Sequence, residues 1–293
     1  MCKTVPNAIS HATSKEKKIM RRLVTAFMLA VLAIASWSTP GSAQMAPQVK
    51  SLGPNPPQTY MWIGNSFFYF NNGIAAYVTG LARGESGGGP AHRGTMLAIG
   101  GSGLDWHDVK SYFRPNAVGY YVFDEHNNIV FNTAKKKYEG AILLDCSQCP
   151  IHPTLAPKFV QYVKKHVATV RANGAVPVLF MSWAYADHPE MTASLAEAYT
   201  RAGNANNVMV IPAGLAFSRV LKARPDLKLH VADNRHPTLA GTYLAAATAY
   251  AALYGRSPEE NSYTAGLDPE LARFLRAQAW ATVQEYFSGA VTN

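Results

Sequence analysis

The sequence predicts an α/β fold, a parallel sheet covered by helices on both faces, and three observations carry that prediction. Short apolar runs alternate with stretches of helical spacing from Tyr60 to the C-terminus, the pattern of repeated strand–helix units. The 293 residues are 48% apolar and 15% charged, which excludes wholesale disorder and leaves ample material for a core. Only Leu23–Trp37 is a long, almost wholly apolar stretch, too short to span a bilayer comfortably, so a multi-span membrane protein is excluded.

That stretch belongs to a leader. Lys15, Lys17, Lys18, Arg21 and Arg22 precede it, and Gly41-Ser42-Ala43 follows Pro40. A basic region, a short apolar run and a small-residue site read as a secretory signal peptide over residues 1–43, with an uncleaved anchor as the alternative. Met20 is the more typical start for such a leader. The leader holds six Lys/Arg and one Glu, so the formal charge of +9 falls to +4 once it is removed. Lys135-Lys136-Lys137 is the only run of three basic residues and reads as a solvated loop. With no concentrated basic face, a nucleic-acid partner is not expected. No membrane association is expected after the leader is lost.

Residues 44–59 read as a linker, rich in Pro, Gln and Ser without periodicity. Residues 60–293 form the expected domain. Tyr60–Ile63 is a buried strand, and apolar spacing of three and four predicts a helix over Phe67–Arg83. Thr95–Ile99 is a second strand and Asp105–Phe113 a short helix. Tyr120–Asp124 and Ile129–Phe131 flank Asn127-Asn128 as a surface hairpin. Strand Ala141–Leu144, helix Thr154–Ala172, strand Val176–Met181, helix Pro189–Ala202, strand Val208–Ile211 and helix Ala216–Ala223 continue the alternation. Helices Thr238–Tyr254 and Pro269–Phe287 close the chain.

In such an architecture the site belongs at the carboxyl ends of the strands. The first strand is followed there by Gly64-Asn65-Ser66 and a helix. Backbone N–H groups at a helix N-terminus can stabilise an oxyanion beside a serine hydroxyl, although Gly-Asn-Ser is also an ordinary turn and cap. Near the C-terminus, Asp233-Asn234-Arg235-His236-Pro237 places a carboxylate three residues before an imidazole. On a tight loop the carboxylate can hold Nδ1–H and leave Nε2 free, as a general base requires. Taken together, the two segments describe a serine hydrolase.

Ile63-Gly64-Asn65-Ser66 resembles the first block of the SGNH (GDSL-like) hydrolase superfamily, and Asp233-x-x-His236-Pro237 resembles its last. Gly100-Gly101-Ser102-Gly103-Leu104 is similar to the second block, and Ala240–Ala246 to the helix after the histidine in one secreted or uncharacterised branch. The resemblance implies a flavodoxin-like three-layer α/β/α sandwich that hydrolyses acyl esters, often acetyl, of carbohydrates or lipids. It makes Ser66 the nucleophile, His236 the base and Asp233 its orienting acid. The backbone N–H groups of Ser66 and Gly101 would form the oxyanion hole. The third block, normally Gly-x-Asn-Asp, is replaced by Asp145-Cys146-Ser147-Gln148-Cys149-Pro150. Gln148 is the provisional third oxyanion donor, with Ser147 or Cys146 nearer in other registers.

Cys146 and Cys149 form a C-x-x-C pair between a strand and a helix. A structural disulfide, a thiol–disulfide redox centre, and a metal site recruiting His152 are all open readings. A non-catalytic glycan-binding protein on the same cleft is a further alternative. His107 and His188 sit past strand ends and read as satisfied core or surface histidines. Trp62 and Phe67–Phe70 read as core, with one ring available to an acyl pocket. Gly84–Pro90 lacks a phosphate-loop ending and reads as a flexible loop at the rim of the site. No metal or organic cofactor is expected, and activity is expected to rise with pH through about 6–7.5 as the base loses its proton.

Overall fold

The computed structural model describes residues 45–114, 117–118, 120–132 and 138–289. The expected leader at residues 1–43 and the Lys135–Lys137 loop lie outside them. Seven strands occur among the described residues: β1 (Thr59–Gly64), β2 (Arg93–Ala98), β3 (Tyr120–Phe123), β4 (Ile129–Asn132), β5 (Gly140–Leu143), β6 (Val176–Phe180) and β7 (Met209–Ile211). The helices are α1 (Ser66–Tyr69), α2 (Ile74–Gly84), α3 (Val109–Tyr112), α4 (Ala156–Ala172), α5 (Met191–Asn206), α6 (Ala213–Ala223), α7 (Leu239–Tyr254) and α8 (Pro269–Ser288). The predicted hairpin is β3–β4, an antiparallel pair outside the main sheet.

The other five strands form one parallel sheet in the order β2-β1-β5-β6-β7. Strands β1, β5, β6 and β7 are buried on both faces, which is why they read as continuous apolar runs, whereas β2 at the edge stays partly exposed. The period of two sorts their side chains between two cores. Tyr60, Trp62, Ile142, Val178, Phe180 and Met209 face the core covered by α2, α6, α7 and α8. Met61, Ile63, Ala141, Leu143, Leu179 and Val210 face the core of α4 and α5. Each large apolar side chain so enclosed contributes about 1.5–3 kcal/mol. Helix α7 is buried along almost its whole length, because it packs against α2, α6 and α8. Its alanines let those neighbours approach.

The chain adds β2 on one side of β1, then returns to the other side to place β5. Apart from the hairpin, this is the flavodoxin-like order, with its switch point between β1 and β5. Ser66 follows β1 at that point.

Three local readings are corrected. The helix predicted over Phe67–Arg83 is broken into α1, a 3₁₀ turn at Phe70–Asn72, and α2. Asn71 (φ 53°) and Gly73 (φ 87°) leave the helical region, and a Cβ on Gly73 would collide with Met96 Cε at 2.3 Å. The apolar period survives the break, so the sequence did not reveal it. The short helix predicted over Asp105–Phe113 is likewise a 3₁₀ turn, Leu104–Trp106, followed by α3. The Gly84–Pro90 loop is not at the rim of the strand ends where Ser66 lies. It precedes β2 at the opposite end of the sheet, where Arg256 pairs with Glu85 and donates to Gly88 O. The residues read as a linker before β1 are extended, with Val49 and Leu52 packed on the domain core.

Candidate active site

Gly64 ends β1 where backbone and side chains crowd: an added Cβ would meet Leu144 Cβ and Phe68 Cδ2, each at 3.0 Å. Only glycine fits this turn without displacement. Asn65 then caps α1, its Oδ1 accepting from Phe67 N–H at 3.1 Å. The same amide donates from Nδ2 to Ser102 O (3.0 Å) and Asp145 O (3.1 Å). Asn65 therefore ties together the loops that follow β1, β2 and β5. Ser66 opens α1 with 9% of its surface exposed.

The histidine arrives on a tightly closed loop. His230 and Pro237 form an antiparallel bridge, Val231 N–H donates to His236 O (2.8 Å), and Asn234 takes a left-handed φ of 64°. Trp183 Nε1–H donates to Arg235 O at 2.9 Å, fixing the loop against the segment after β6. Asn71 Nδ2 donates to Pro237 O (3.0 Å) and Thr242 Oγ1 (2.8 Å), so the break between α1 and α2 grips the loop from the other side.

Ser66 and His236, 170 positions apart, meet here. His236 Nδ1 lies 2.5 Å from Asp233 Oδ2. A carboxylate only accepts, so Nδ1 carries the proton and Nε2 is left to accept from Ser66 Oγ–H at 2.7 Å. Asp233 Oδ1 accepts from Arg235 N–H (2.8 Å) and His236 N–H (2.9 Å). Partial desolvation works to raise the Asp233 carboxyl, but these hydrogen bonds outweigh it and hold the pKa at about 2. Asp233 is thus ionised at neutral pH. Phe70 stacks on the His236 ring (centroids 4.1 Å apart) and Phe67 meets it edge-on at 5.6 Å. Phe67 in turn begins a stack through Trp183 to Phe217. The aromatic run is therefore split in use: Phe68 is core, while Phe67 and Phe70 fix the histidine. Trp62 is wholly core.

The residues proposed for the oxyanion are distributed over three loops. Ser66 N–H opens α1. Gly101 has a φ of 72° and open space around its Cα. Gln148 is exposed at the start of a 3₁₀ turn, Cys149–Ile151. Cys146 and Cys149 are joined by a disulfide. Cys146 consequently has no S–H to donate, and Ser147 Oγ is engaged with Tyr185 Oη at 2.6 Å. His152 lies outside the Asp145–Cys146–Cys149 cluster and accepts from Thr154.

Asp145 was not singled out by its sequence position, yet it is the buried centre of this loop. Its Oδ1 accepts from Leu104 N–H (2.9 Å) and Cys146 N–H (2.7 Å), bridging the loops after β2 and β5. Burial raises its pKa to about 6 against those two hydrogen bonds. Its partner loop lies 41 residues away, a distance that no local pattern reveals. His107 is a satisfied core residue, as read. Nε2 donates toward Gly64 O and Ser102 Oγ, both at 3.0 Å, and Nδ1 accepts from Tyr112 Oη. Burial lowers its pKa. His188 is exposed and pairs with Glu190.

No family sequence model and no curated protein matches the chain. Solved structures do. A DUF4886 family protein from Bacteroides uniformis superposes with a TM-score of 0.57 at 20% identity, over 78% of this chain and 95% of that one. A candidate SGNH hydrolase from Slackia heliotrinireducens gives a TM-score of 0.50 at 19% identity, over 67% of this chain and 98% of that one. The fold is that of the SGNH hydrolases, a single parallel sheet between two helical layers.

Proposed function

We propose that the protein is a serine esterase hydrolysing acetyl or other short acyl esters of carbohydrate or lipid alcohols. The observation that carries the reading is the continuous chain Ser66 Oγ–His236 Nε2 (2.7 Å) and His236 Nδ1–Asp233 Oδ2 (2.5 Å). Ser66 Oγ attacks the ester carbonyl as its proton passes to His236 Nε2. Asp233 stabilises the imidazolium and keeps the ring in the productive tautomer. The N–H groups of Ser66 and Gly101 hold the tetrahedral oxyanion, with the Gln148 amide as third donor. The disulfide, which leaves Cys146 without an S–H, supports Gln148 over Cys146. His236 then protonates the departing alcohol, and water repeats the sequence on the acyl-enzyme. No step calls for a metal or organic cofactor.

Work outside the cytoplasm, by secretion or export to a periplasm, belongs to the same proposal. The leader pattern in residues 1–43 and the Cys146–Cys149 disulfide support it. Among the described residues no helix is long and apolar enough to cross a membrane. The test is turnover of para-nitrophenyl acetate by the parent protein and by Ser66→Ala, which is expected to lose on the order of 10⁴-fold or more in kcat. Turnover at the parent rate in the variant would remove the esterase reading.

A further inference from the structure

We propose that Arg235 forms a subsite for a carboxylate carried by the ester substrate, on either its acyl or its alcohol part. The proposal rests on the esterase reading for its setting and on separate contacts for its content. Arg235 lies between Asp233 and His236, and its backbone is held at both ends. Its N–H donates to Asp233 Oδ1 (2.8 Å) and its C=O accepts from Trp183 Nε1–H (2.9 Å). The root of the side chain is therefore fixed by the same bonds that fix the catalytic carboxylate.

The guanidinium is positioned as well. Its central carbon lies 4.8 Å from the centroid of the Tyr185 ring, a cation–π contact with a buried aromatic. Tyr185 Oη is in turn 2.6 Å from Ser147 Oγ, in the loop that presents Gln148. The Arg235 side chain thus reaches from the loop of the base to Tyr185, which bonds the loop of the proposed third oxyanion donor. The ring contact holds one part of the guanidinium, which has further N–H donors to offer an anion. Among the described residues no carboxylate lies within ion-pair distance of it. The nearest in sequence, Asp233, already accepts from the His236 ring and two backbone N–H groups.

An exposed arginine free to move would lose side-chain entropy on binding an anion. One already held against an aromatic ring loses less, so a carboxylate meets a partly preorganised cation. The substrate class this favours is an acyl ester bearing a carboxylate, such as an acylated acidic sugar or a half-ester of a dicarboxylic acid.

Three esters separate the possibilities: para-nitrophenyl acetate is neutral, para-acetoxybenzoate carries its carboxylate on the leaving group, and para-nitrophenyl hemisuccinate carries it on the acyl group. In Arg235→Gln, kcat/KM on at least one anionic ester, relative to the neutral ester, is expected to fall about tenfold, and Arg235→Lys to recover part of it. Salt at about 0.5 M should erode the parent's preference for that anionic ester. Equal losses on all three esters would assign Arg235 to positioning Tyr185 alone and overturn the proposal, as would no loss on any. A readout independent of turnover is the calorimetric affinity of the two anionic esters for Ser66→Ala with and without Arg235→Gln. A roughly tenfold weakening of at least one supports the subsite, and unchanged affinity for both overturns it even if the esterase reading stands.

Discussion

The loop that carries Asp233 and His236, between α6 and α7, and the loop that carries Asp145 to Cys149, after β5, are organised differently. The first is closed by contacts within itself: a bridge from His230 to Pro237 and a carboxylate–imidazole pair three residues apart. The second is closed by a disulfide and anchored by a buried carboxylate whose partner, Leu104 N–H, belongs to another loop. The charge in the first loop is stabilised by its hydrogen bonds, whereas the charge in the second is opposed by burial. One loop is therefore built to hold a permanent anion against the His236 ring. The other uses an anion that is costly to keep, as a fastening between loops.

Asp233→Asn breaks the first loop's logic most severely. The amide can leave the ring in the wrong tautomer, so kcat is expected to fall by roughly 10⁴ with the fold intact by circular dichroism. A loss of only a few-fold would show that His236 is oriented by Phe70 and Asn71 instead.

Asp145→Ala is the corresponding break in the second loop, with a smaller expected effect on rate. Leu104 N–H and Cys146 N–H lose their common acceptor, at about 1–3 kcal/mol for each one left buried and unpaired. A denaturant midpoint close to that of the parent would contradict the fastening role. The pH dependence sharpens the contrast. A carboxyl raised to about 6 binds its proton more tightly in the folded protein than in the unfolded chain. Its contribution therefore makes stability fall as pH rises from about 4 through about 6. That slope should be absent in Asp145→Asn. Asp233 works the other way, because its folded value is depressed. Its stabilisation is present above about 4 and is lost only as pH falls toward about 2.

Removing the disulfide with Cys149→Ser carries the smallest effect. The ring it closes is short, so the loss is expected at about 2 kcal/mol or less, read from thermal unfolding with and without reductant. Insulin reduction by the parent protein that disappears in Cys146→Ser would instead point to the redox reading of the C-x-x-C pair.

The same contrast explains what could be read from the sequence. Strand–helix alternation gave the sheet and its layers, because two-sided burial makes each strand an apolar run such as Tyr60–Ile63. Ser66 was legible because it follows a strand and opens a helix, and Asp233 and His236 because a carboxylate and an imidazole stand three residues apart just before a helix. The break at Asn71–Gly73 was hidden because apolar spacing continues across it. Asp145, Asn65, Phe70 and Arg235 take their roles from contacts made after folding. Asn65 looked like a simple cap, and nothing in its neighbours announces bonds to Ser102 O and Asp145 O.

The central claim is that Ser66 Oγ is an activated nucleophile, and covalent labelling by a fluorophosphonate probe tests it most directly. The parent protein is expected to gain one adduct, mapped by peptide mass spectrometry to Ser66, with none in Ser66→Ala and little in His236→Ala. A parent protein that stays unlabelled, or an adduct on any other residue, would contradict the account.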